Sequence, residues 1–221
     1  MKVRIQLNDT NFRAGVAIAN QVRVAETAPE LCHRLKELVQ TRSTENFPLP
    51  ETKEAVRALL RKGGFKPSGR NKPASEYLAQ AARESRFPFI NNLVDVNNFL
   101  SLQYGFPISL LDRSCFGETA LIRYGAPGEK YVFNSAGQEI DLARLICICA
   151  EEAEVTLPLG NPIKDSLAGK IKPDTTAVIG VIYASARAIS SEGMAQLAEE
   201  FARLLGTFGG AASTTAQVLI G

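Results

Sequence analysis

Residues 89–112 combine four asparagines and two aspartates with an otherwise apolar run that ends at a Gly-Phe-Pro break. The pattern predicts a helix over about residues 91–104, on which Asn91, Asp95 and Asn98 share one stripe at spacing i, i+4 and i+7. An amide that is buried without hydrogen bonds costs several kcal/mol, so these side chains either tie loops together or line a wet pocket. In a pocket, they would recognise a polar, neutral group such as an ester, an amide or a ribose hydroxyl.

The rest of the chain has the composition of a globular protein. Its 221 residues are 45% hydrophobic and 22% charged, which is enough to bury a substantial core, and one domain is favoured over two. No apolar run approaches the roughly 20 residues that cross a bilayer, and the N-terminus lacks the apolar centre of a secretory signal. We therefore expect a cytoplasmic location and no membrane partner.

Predicted strands and helices come in blocks, which favours an α+β fold over a doubly wound sheet. The predicted strands cover residues 2–7, 15–24, 120–124, 130–133, 142–149, 154–157 and 175–183. One helix starts at Pro29, another begins within residues 72–76 and runs to about residue 83, and the others cover residues 51–61, 91–104 and 192–205. Residues 125–128 and 135–137 are predicted hairpin connections. The C-terminus is either a mobile tail or an edge strand over residues 215–220.

The cysteines and the single histidine exclude several classes of enzyme. Cys32, Cys115, Cys147 and Cys149 lack the spacing of a zinc ribbon or a redox Cys-x-x-Cys pair, and buried, reduced thiols are expected. His33 is predicted to lie on a helix surface, so no histidine-rich metal site can form. The chain also lacks a nucleotide-binding glycine loop, and we expect neither a metal nor a cofactor. These absences make a small-molecule enzyme less favoured than the two other functions that are described below.

The overall charge of +2 is uninformative, but residues 57–72 hold six cations and no acid among glycines and prolines. Such a segment can follow a phosphate backbone by neutralising its charge and releasing counterions. The alternative is a solvated helix end and loop. Only one aromatic residue, Phe65, interrupts the cations, which gives little support to base stacking. The predicted RNA-binding residues are Arg57, Arg61, Lys62, Lys66, Arg70 and Lys72.

Several landmarks occur together and in order: FPFINNLVDVNNFLSLQYGFPISLLD, Gly117, Arg123, Gly128-Glu129 and KDSLAGKIKPDTTAVIG. In this order and spacing the chain resembles the B3/B4 domain of the phenylalanyl-tRNA synthetase beta chain. The resemblance covers about residues 65–183, and it implies a mixed, mainly antiparallel sheet and sandwich packed with helices. It also implies a free-standing, single domain over residues 1–221, with strands and helices over 1–64 and a helix and tail over 191–221.

In the synthetase this domain hydrolyses tyrosine that is wrongly esterified to phenylalanine tRNA. The resemblance therefore implies tRNA or aminoacyl-tRNA as the partner, and ester deacylation as the reaction. Asn98 matches the asparagine of the family's Val-Asp-x-x-Asn motif. Ser109 stands where the family has its editing histidine, and Val181 where it has its editing glutamate. A Lys-Asp-Ser segment that occurs in free-standing relatives, here residues 164–166, could supply replacement groups.

We expect the catalytic residues to be Asn98, Ser109 and Ser166, because the asparagine would orient the substrate and the serines would order water. The expected substrate-binding residues are Asn91, Asp112, Arg123, Lys164 and Asp165. Structural alternatives remain open: Asp112 could cap a turn, Arg123 could pair with Asp165, and Ser109 could be a small core residue. The rival function is a non-catalytic module that binds tRNA, an aminoacyl group or another protein.

Overall fold

The computed structural model describes residues 1–153 and 155–221. The helices are α1 (Pro29–Thr44), α2 (Pro50–Lys62), α3 (Ala74–Arg83), α4 (Asn92–Tyr104) and α5 (Ser191–Gly209). The strands are β1 (Lys2–Gln6), β2 (Phe12–Asn20), β3 (Ile108–Asp112), β4 (Thr119–Tyr124), β5 (Lys130–Val132), β6 (Glu139–Asp141), β7 (Ile146–Glu152), β8 (Val155–Gly160), β9 (Ala177–Ser185) and β10 (Ser213–Ile220). Among these residues, no helix is both long and apolar enough to cross a membrane.

The strands form two four-stranded sheets and one separate hairpin. The mixed sheet has the order β1-β4-β7-β8, in which β1 runs parallel to β4 and the other pairs are antiparallel. The antiparallel sheet has the order β10-β2-β9-β3, so β3 is one of its edges. Strands β5 and β6 form a separate two-stranded antiparallel sheet. The predicted α+β fold with a mixed, mainly antiparallel arrangement is confirmed.

The antiparallel sheet is the central layer of the molecule. Ile179 and Val181 of β9 belong to the core that lies between the two sheets. Val178 and Ile182 of the same strand belong to the core beneath the helices. Because side chains alternate between the faces of a strand, a strand that is covered on both faces is a continuous apolar run. Coverage on both faces explains the apolar character of β9. The same alternation places Ile108 and Leu110 of β3 on the face that packs against the helices.

Helix α4 lies among α1, α3, α5 and β3, and it is buried on nearly every side. It begins at its N-cap Asn91, whose side chain accepts a hydrogen bond from the backbone N–H of Val94 at 2.9 Å. It ends at Gly105, which has a left-handed φ of 81° and donates its N–H to the carbonyl of Ser101. The predicted bounds of this helix are correct to within one residue.

Two predicted features of the region 120–157 are wrong. The strand predicted over 142–149 begins only at Ile146, as β7, because residues 142–145 form a turn in which Arg144 adopts a left-handed φ of 66°. The connection over 125–128 does not close a hairpin, since β4 pairs with β7 and not with β5. The connection over 135–137 does join two paired strands. Glu154, the predicted start of the next strand, lies outside the described residues.

The terminal segments complete the sheets of the central region. β1 pairs with β4, and β2 occupies an inner position of the antiparallel sheet. β2 lies about three residues earlier than predicted, and Val22 beyond its end donates its N–H to the carbonyl of Thr176. The C-terminal residues form β10 on the outer side of β2, so the edge-strand alternative is correct.

Gly180 of β9 tests the packing of the central sheet against α5. A β-carbon built at Gly180 would lie 2.2 Å from the ring of Phe201, whereas one built at Gly117 meets nothing closer than 3.9 Å. We expect Gly180→Ala to lower the free energy of unfolding by about 1–3 kcal/mol, because it overpacks the core. Gly117→Ala is the matched control and should change stability by less than about 0.5 kcal/mol in urea denaturation. Equal effects of the two substitutions would contradict this account of the packing.

Candidate functional site

A cleft of about 650 Å³ lies beside β3, between helices α3 and α4 and the segment that follows β8. We call it the β3 cleft. Its apolar lining comes from Leu78, Val94, Ile108, Leu110, Ile163 and Ile171. Its polar lining includes Asn91, Asn97, Asn98, Lys164, Asp165 and Lys170. Four residues that were predicted from the sequence, Asn91, Asn98, Lys164 and Asp165, are therefore brought together in one cleft.

Two neighbouring amides of α4 give the cleft unused hydrogen-bonding capacity. Asn97 donates to the side-chain oxygen of Asn98 at 3.4 Å. The side-chain oxygen of Asn97 is buried and has no hydrogen-bond partner among the described residues. A buried polar atom without a partner costs about 1–3 kcal/mol, and a bound polar group would recover that cost. Asn97 is not among the predicted site residues, because its position one residue before Asn98 is off the predicted stripe.

The residues of the predicted stripe differ in whether they line the cleft or only bond within the fold. Asp95 is fully buried and accepts hydrogen bonds from the hydroxyl of Thr27 at 2.6 Å and the N–H of Ile90 at 2.9 Å. It therefore ties the entry of α4 to the chain before α1 and does not reach the cleft. Asn91 borders the cleft, but its side-chain oxygen is already used to cap the helix. Of the three stripe residues, Asn98 alone both lines the cleft and lacks a structural bond of this kind.

Asp165 is the acidic group of the β3 cleft. Its Oδ1 accepts a hydrogen bond from the hydroxyl of Ser109 at 2.6 Å and one from the N–H of Asn161 at 3.3 Å. The residue is half-buried and borders the cleft. Burial raises the pKa of Asp165 to about 7, although the bond from Ser109 and the charge of Lys170 act to lower it. Close to neutral pH this carboxylate can therefore both take up and release a proton.

Ser109 lies behind Asp165 and not in the cleft. It is fully buried, and its Oγ is 3.0 Å from the hydroxyl of Tyr183. Within the sheet Ser109 is paired directly with Val181, so the two positions where the resemblance expects histidine and glutamate are neighbours. The expected role of Ser109 in ordering water is wrong as a direct contact, because the side chain has no access to the cleft. Its observed contacts hold the carboxylate of Asp165.

A second set of bonds fixes the turn that carries Lys164 and Asp165. The side-chain oxygen of Asn161 accepts the N–H groups of Ile163 at 2.8 Å and Lys164 at 2.9 Å. Its amide nitrogen donates to the hydroxyl of Tyr131, which in turn donates to the carbonyl of Lys164 at 2.6 Å. Asn161 is not among the residues predicted from the sequence, although an Asn-Pro pair is a typical signal of a turn held by its asparagine. The rigid turn directs the side chain of Asp165 to the β3 edge.

Lys164 stands at the border of the β3 cleft and a second cavity of about 530 Å³. This cavity lies between residues 64–71 and the β5–β6 hairpin, and we call it the hairpin cavity. The Nζ atom of Lys164 lies 4.1 Å from the centre of the Phe133 ring. Burial lowers the pKa of Lys164, and the charge of Arg70 lowers it further. Lys164 has no ion-pair partner among the described residues.

Three of the predicted site residues lie elsewhere. Ser166 lines a separate depression, and its hydroxyl accepts the N–H of Ala168. Asp112 accepts a hydrogen bond from Thr175 at 2.6 Å and caps the following turn. Arg123 forms a two-pronged ion pair with Glu129, at 2.8 and 2.6 Å. The predicted pair of Arg123 with Asp165 is therefore wrong, and the structural alternative for Asp112 agrees with its contacts.

Most of the predicted RNA-binding cations bond to side chains of the same molecule. Four of the six do so: Arg57 with Glu76, Arg61 with Glu54, Lys62 with Asp9, and Lys72 with Gln80. Lys66 and Arg70 have no such partner in the described part of the chain, and both line the hairpin cavity. The basic segment is therefore not one uniform surface, and its uncommitted charge is concentrated at that cavity.

The remaining histidine and cysteines agree only partly with expectation. His33 is exposed and lies 3.3 Å from Glu37 on the next turn of α1. Cys147 and Cys149 are buried, as expected for all four thiols, whereas Cys32 and Cys115 are partly exposed. Within residues 1–153 and 155–221, no group of three or more His, Cys, Asp and Glu side chains is arranged to hold a metal ion.

Comparison with known proteins adds a family to this geometry. The sequence model of the B3/4 domain matches residues 64–201. The phenylalanine–tRNA ligase beta subunit of Moorella thermoacetica is 26% identical over 166 residues, which are 75% of this chain and 17% of that protein. The chain thus spans less than a fifth of that relative. An N-terminal fragment of the phenylalanyl-tRNA synthetase beta subunit from Pyrococcus horikoshii aligns with 98% of this chain and 50% of that one, at 10% identity and a TM-score of 0.48. The family match covers more than half of the sequence and the whole of the β3 cleft, and the chain belongs to the B3/4 domain family.

Proposed function

We propose that the protein binds the aminoacylated 3′ end of a tRNA in the β3 cleft and hydrolyses its ester bond. One observation carries this proposal: Asp165, whose pKa is about 7, lines the same cleft as the amide of Asn98. A proton acceptor poised near neutral pH is what general-base catalysis of ester hydrolysis needs. The relative from Moorella is named as a tRNA ligase subunit, which supports tRNA as the partner. Aminoacyl-tRNA occurs in the cytoplasm, and we propose that the protein acts there.

The shape and chemistry of the cleft suit an aminoacyl group. A volume of about 650 Å³ is within the range of small-molecule sites. Ile108 and Leu110 provide apolar surface for the side chain of an amino acid. Asn97 and Asn98 provide hydrogen bonds for the ester or the ribose. Lys164 supplies positive charge at the border of the cleft, where a phosphate of the RNA would pass.

In the proposed reaction a water molecule attacks the ester carbonyl carbon, and the carboxylate of Asp165 takes a proton from that water. The negative charge on the carbonyl oxygen is stabilised by the amide N–H groups of Asn98. When the intermediate collapses, the bond to the 3′ oxygen breaks and that oxygen takes up the proton from Asp165. The products are the free amino acid and the deacylated RNA.

Ser109 and Tyr183 act in this scheme as positioning residues. Their hydroxyls are 3.0 Å apart, and Ser109 holds one oxygen of Asp165 at 2.6 Å. The carboxylate that the resemblance expects on β9 is replaced by Val181, which is fully buried. Ser109 is the cross-strand partner of Val181. Asp165, from the loop after β8, places its carboxylate against Ser109.

A non-catalytic module that binds tRNA is the second candidate function. It is favoured by the loss of both family groups, since Ser109 and Val181 are buried and neither reaches the cleft. The polar and basic lining of the two cavities would still bind RNA in such a protein. The two functions differ in whether any ester is lost.

The first prediction of the proposed function concerns the amide of Asn98. Asn98→Ala should slow deacylation of the preferred mischarged tRNA by about 100-fold, because one donor to the developing oxyanion is lost. Binding of the same tRNA should weaken by less than about threefold, since phosphate contacts dominate its affinity. The assay follows ester loss across a panel of mischarged tRNAs, and Asn8→Ala, at an exposed position, is the matched control.

Retention of every ester together with measurable tRNA binding would support the module and contradict the hydrolase. Absence of tRNA binding at low salt, where phosphate contacts are strongest, would contradict both candidates.

The second prediction is the pH dependence of the reaction. The rate should rise through about pH 7 and level off above it, because Asp165 must be ionised to accept a proton. Asp165→Asn should lower the rate about 100-fold at pH 8 and remove this rise, after subtraction of spontaneous ester hydrolysis. Asp174→Asn, which changes an exposed aspartate, should leave the profile as it is. A rise that persists unchanged in Asp165→Asn would contradict the role of Asp165.

The third prediction tests the environment of Asp165 without any substrate. The folded-state pKa of about 7 lies above the unfolded value of about 3.9, so the stability associated with this group is greatest below about pH 4 and is lost as pH rises to 7. Asp165→Asn should therefore gain about 2 kcal/mol relative to the parent protein between pH 5 and pH 8. The measurement is urea denaturation at both pH values.

The control for that measurement is Asp112→Asn. Burial acts to raise the pKa of Asp112, but hydrogen bonds from Ser114 and Thr175 lower it overall. This carboxylate is therefore ionised at both pH values in folded and unfolded protein, and the substitution should destabilise equally at pH 5 and pH 8. A pH-independent effect of Asp165→Asn would contradict the raised pKa.

A further inference from the structure

Three cations line the hairpin cavity. Lys66 and Arg70 project from the loop between α2 and α3, and Lys164 approaches from the turn after β8. None of the three has an ion-pair partner among the described residues. Arg70 and Lys164 are close enough that the charge of Arg70 lowers the pKa of Lys164. Two like charges that line one cavity and are not taken up in ion pairs favour a bound anion.

The same cavity presents aromatic surface. Phe65 and Phe133 both line it and are both partly exposed. The ammonium group of Lys164 lies over the ring of Phe133 at 4.1 Å, which places positive charge and a flat apolar face side by side. Proteins bind single-stranded nucleic acid with this combination, because bases stack on the rings while cations follow the backbone.

The other wall of the cavity carries acceptors. Glu139 pairs with Lys130 at 2.8 Å, and Asp141 accepts the N–H of Ala143 at 2.9 Å, so both carboxylates are partly engaged. Gln138 adds an amide beside them. Carboxylate oxygens accept hydrogen bonds from base amino groups and ribose hydroxyls, but they repel a free phosphate ion. The lining as a whole therefore matches a complete nucleotide better than an inorganic anion.

Lys164 links this cavity to the β3 cleft, since it lines both. We propose that the hairpin cavity binds the nucleotide that precedes the aminoacylated terminal one, with the intervening phosphate between Lys164 and Arg70 and the base against Phe133. This subsite rests on the proposed function, because it assumes that the terminal residue occupies the β3 cleft. It supplies what that cleft lacks, a means of fixing the direction in which the RNA strand enters.

The test uses the full chain and the dinucleotide pCpA, which ends in the two nucleotides common to tRNA 3′ ends. Affinity is measured by titration calorimetry at two or more salt concentrations. Arg70→Gln and Lys164→Gln should each weaken binding at least tenfold, and each should lower the salt dependence by about 0.7 in log–log slope, because one phosphate contact is lost. Lys36→Gln, at an exposed position of α1, is the matched charge control.

Two further probes separate the parts of the subsite. Adenosine, which has no phosphate, should bind the parent protein and Arg70→Gln equally. Phe133→Leu should weaken pCpA at least threefold and leave the salt slope unchanged, because it removes stacking and not charge. Lys164→Arg should retain most of the affinity, since the positive charge is kept. Circular dichroism verifies that each variant is folded.

The outcomes distinguish this inference from the proposed function. If esters are hydrolysed with the expected sensitivity to Asn98→Ala but pCpA binds equally to the parent and to Arg70→Gln, the subsite is overturned and the hydrolase stands. If pCpA binding depends on Arg70, Lys164 and Phe133 but no ester is lost, the subsite stands and hydrolysis fails. If pCpA does not bind at low salt, the subsite is overturned.

Discussion

The carboxylate of Asp165 joins the edge of the central sheet to the β3 cleft, and the rest of the site depends on this contact. β3 is an edge strand, and an edge strand exposes backbone groups that must find partners. The loop after β8 covers that edge. Asp112 donates its N–H to the carbonyl of Gly169, and Asp165 accepts a hydrogen bond from the hydroxyl of Ser109. A structural requirement of the sheet therefore brings an acid into the wall of a cleft.

The close approach of Asp165 to the sheet requires a glycine at the end of β8. A β-carbon at Gly160 would lie 2.8 Å from Oδ1 of Asp165 and 3.1 Å from Oγ of Ser109. Without that β-carbon the carboxylate can lie against β3, where burial raises its pKa. The bond from Ser109 compensates part of the desolvation, so that the group titrates near neutrality. The absence of a side chain at Gly160 thus helps to set the pKa of Asp165.

The polar stripe of α4 shows which sequence predictions could succeed and which could not. The spacing of Asn91, Asp95 and Asn98 was sufficient to predict a helix and a polar stripe, because helical periodicity is a local property. It could not divide the stripe, since Asp95 is satisfied by Thr27, which is distant in sequence. Local pattern likewise could not show that Ser109 faces the core between the sheets, where Asp165 meets it.

The same limit applies to charge. Residues 57–72 form a basic segment in the sequence, but Arg57 is paired with Glu76 of the next helix by two bonds of 2.7 Å. An ion pair of this kind depends on how two helices pack. The composition of a short segment cannot predict that packing. The uncommitted cations were identifiable only after tertiary contacts had accounted for the others.

The fold thus provides a carboxylate, an amide pair and a cationic border from three different elements. Asn98 comes from α4, Asp165 from the loop that covers β3, and Arg70 from the loop after α2. Because α4 is buried on nearly every side and the turn at Asn161 is closed by its own side chain, two of these groups are held on rigid supports. Arg70 lies on an exposed loop, where phosphate recognition tolerates adjustment because charge acts over a longer range than a hydrogen bond. The rigid elements therefore carry the groups that the proposed chemistry requires, and the adaptable one carries the charge proposed to steer the RNA.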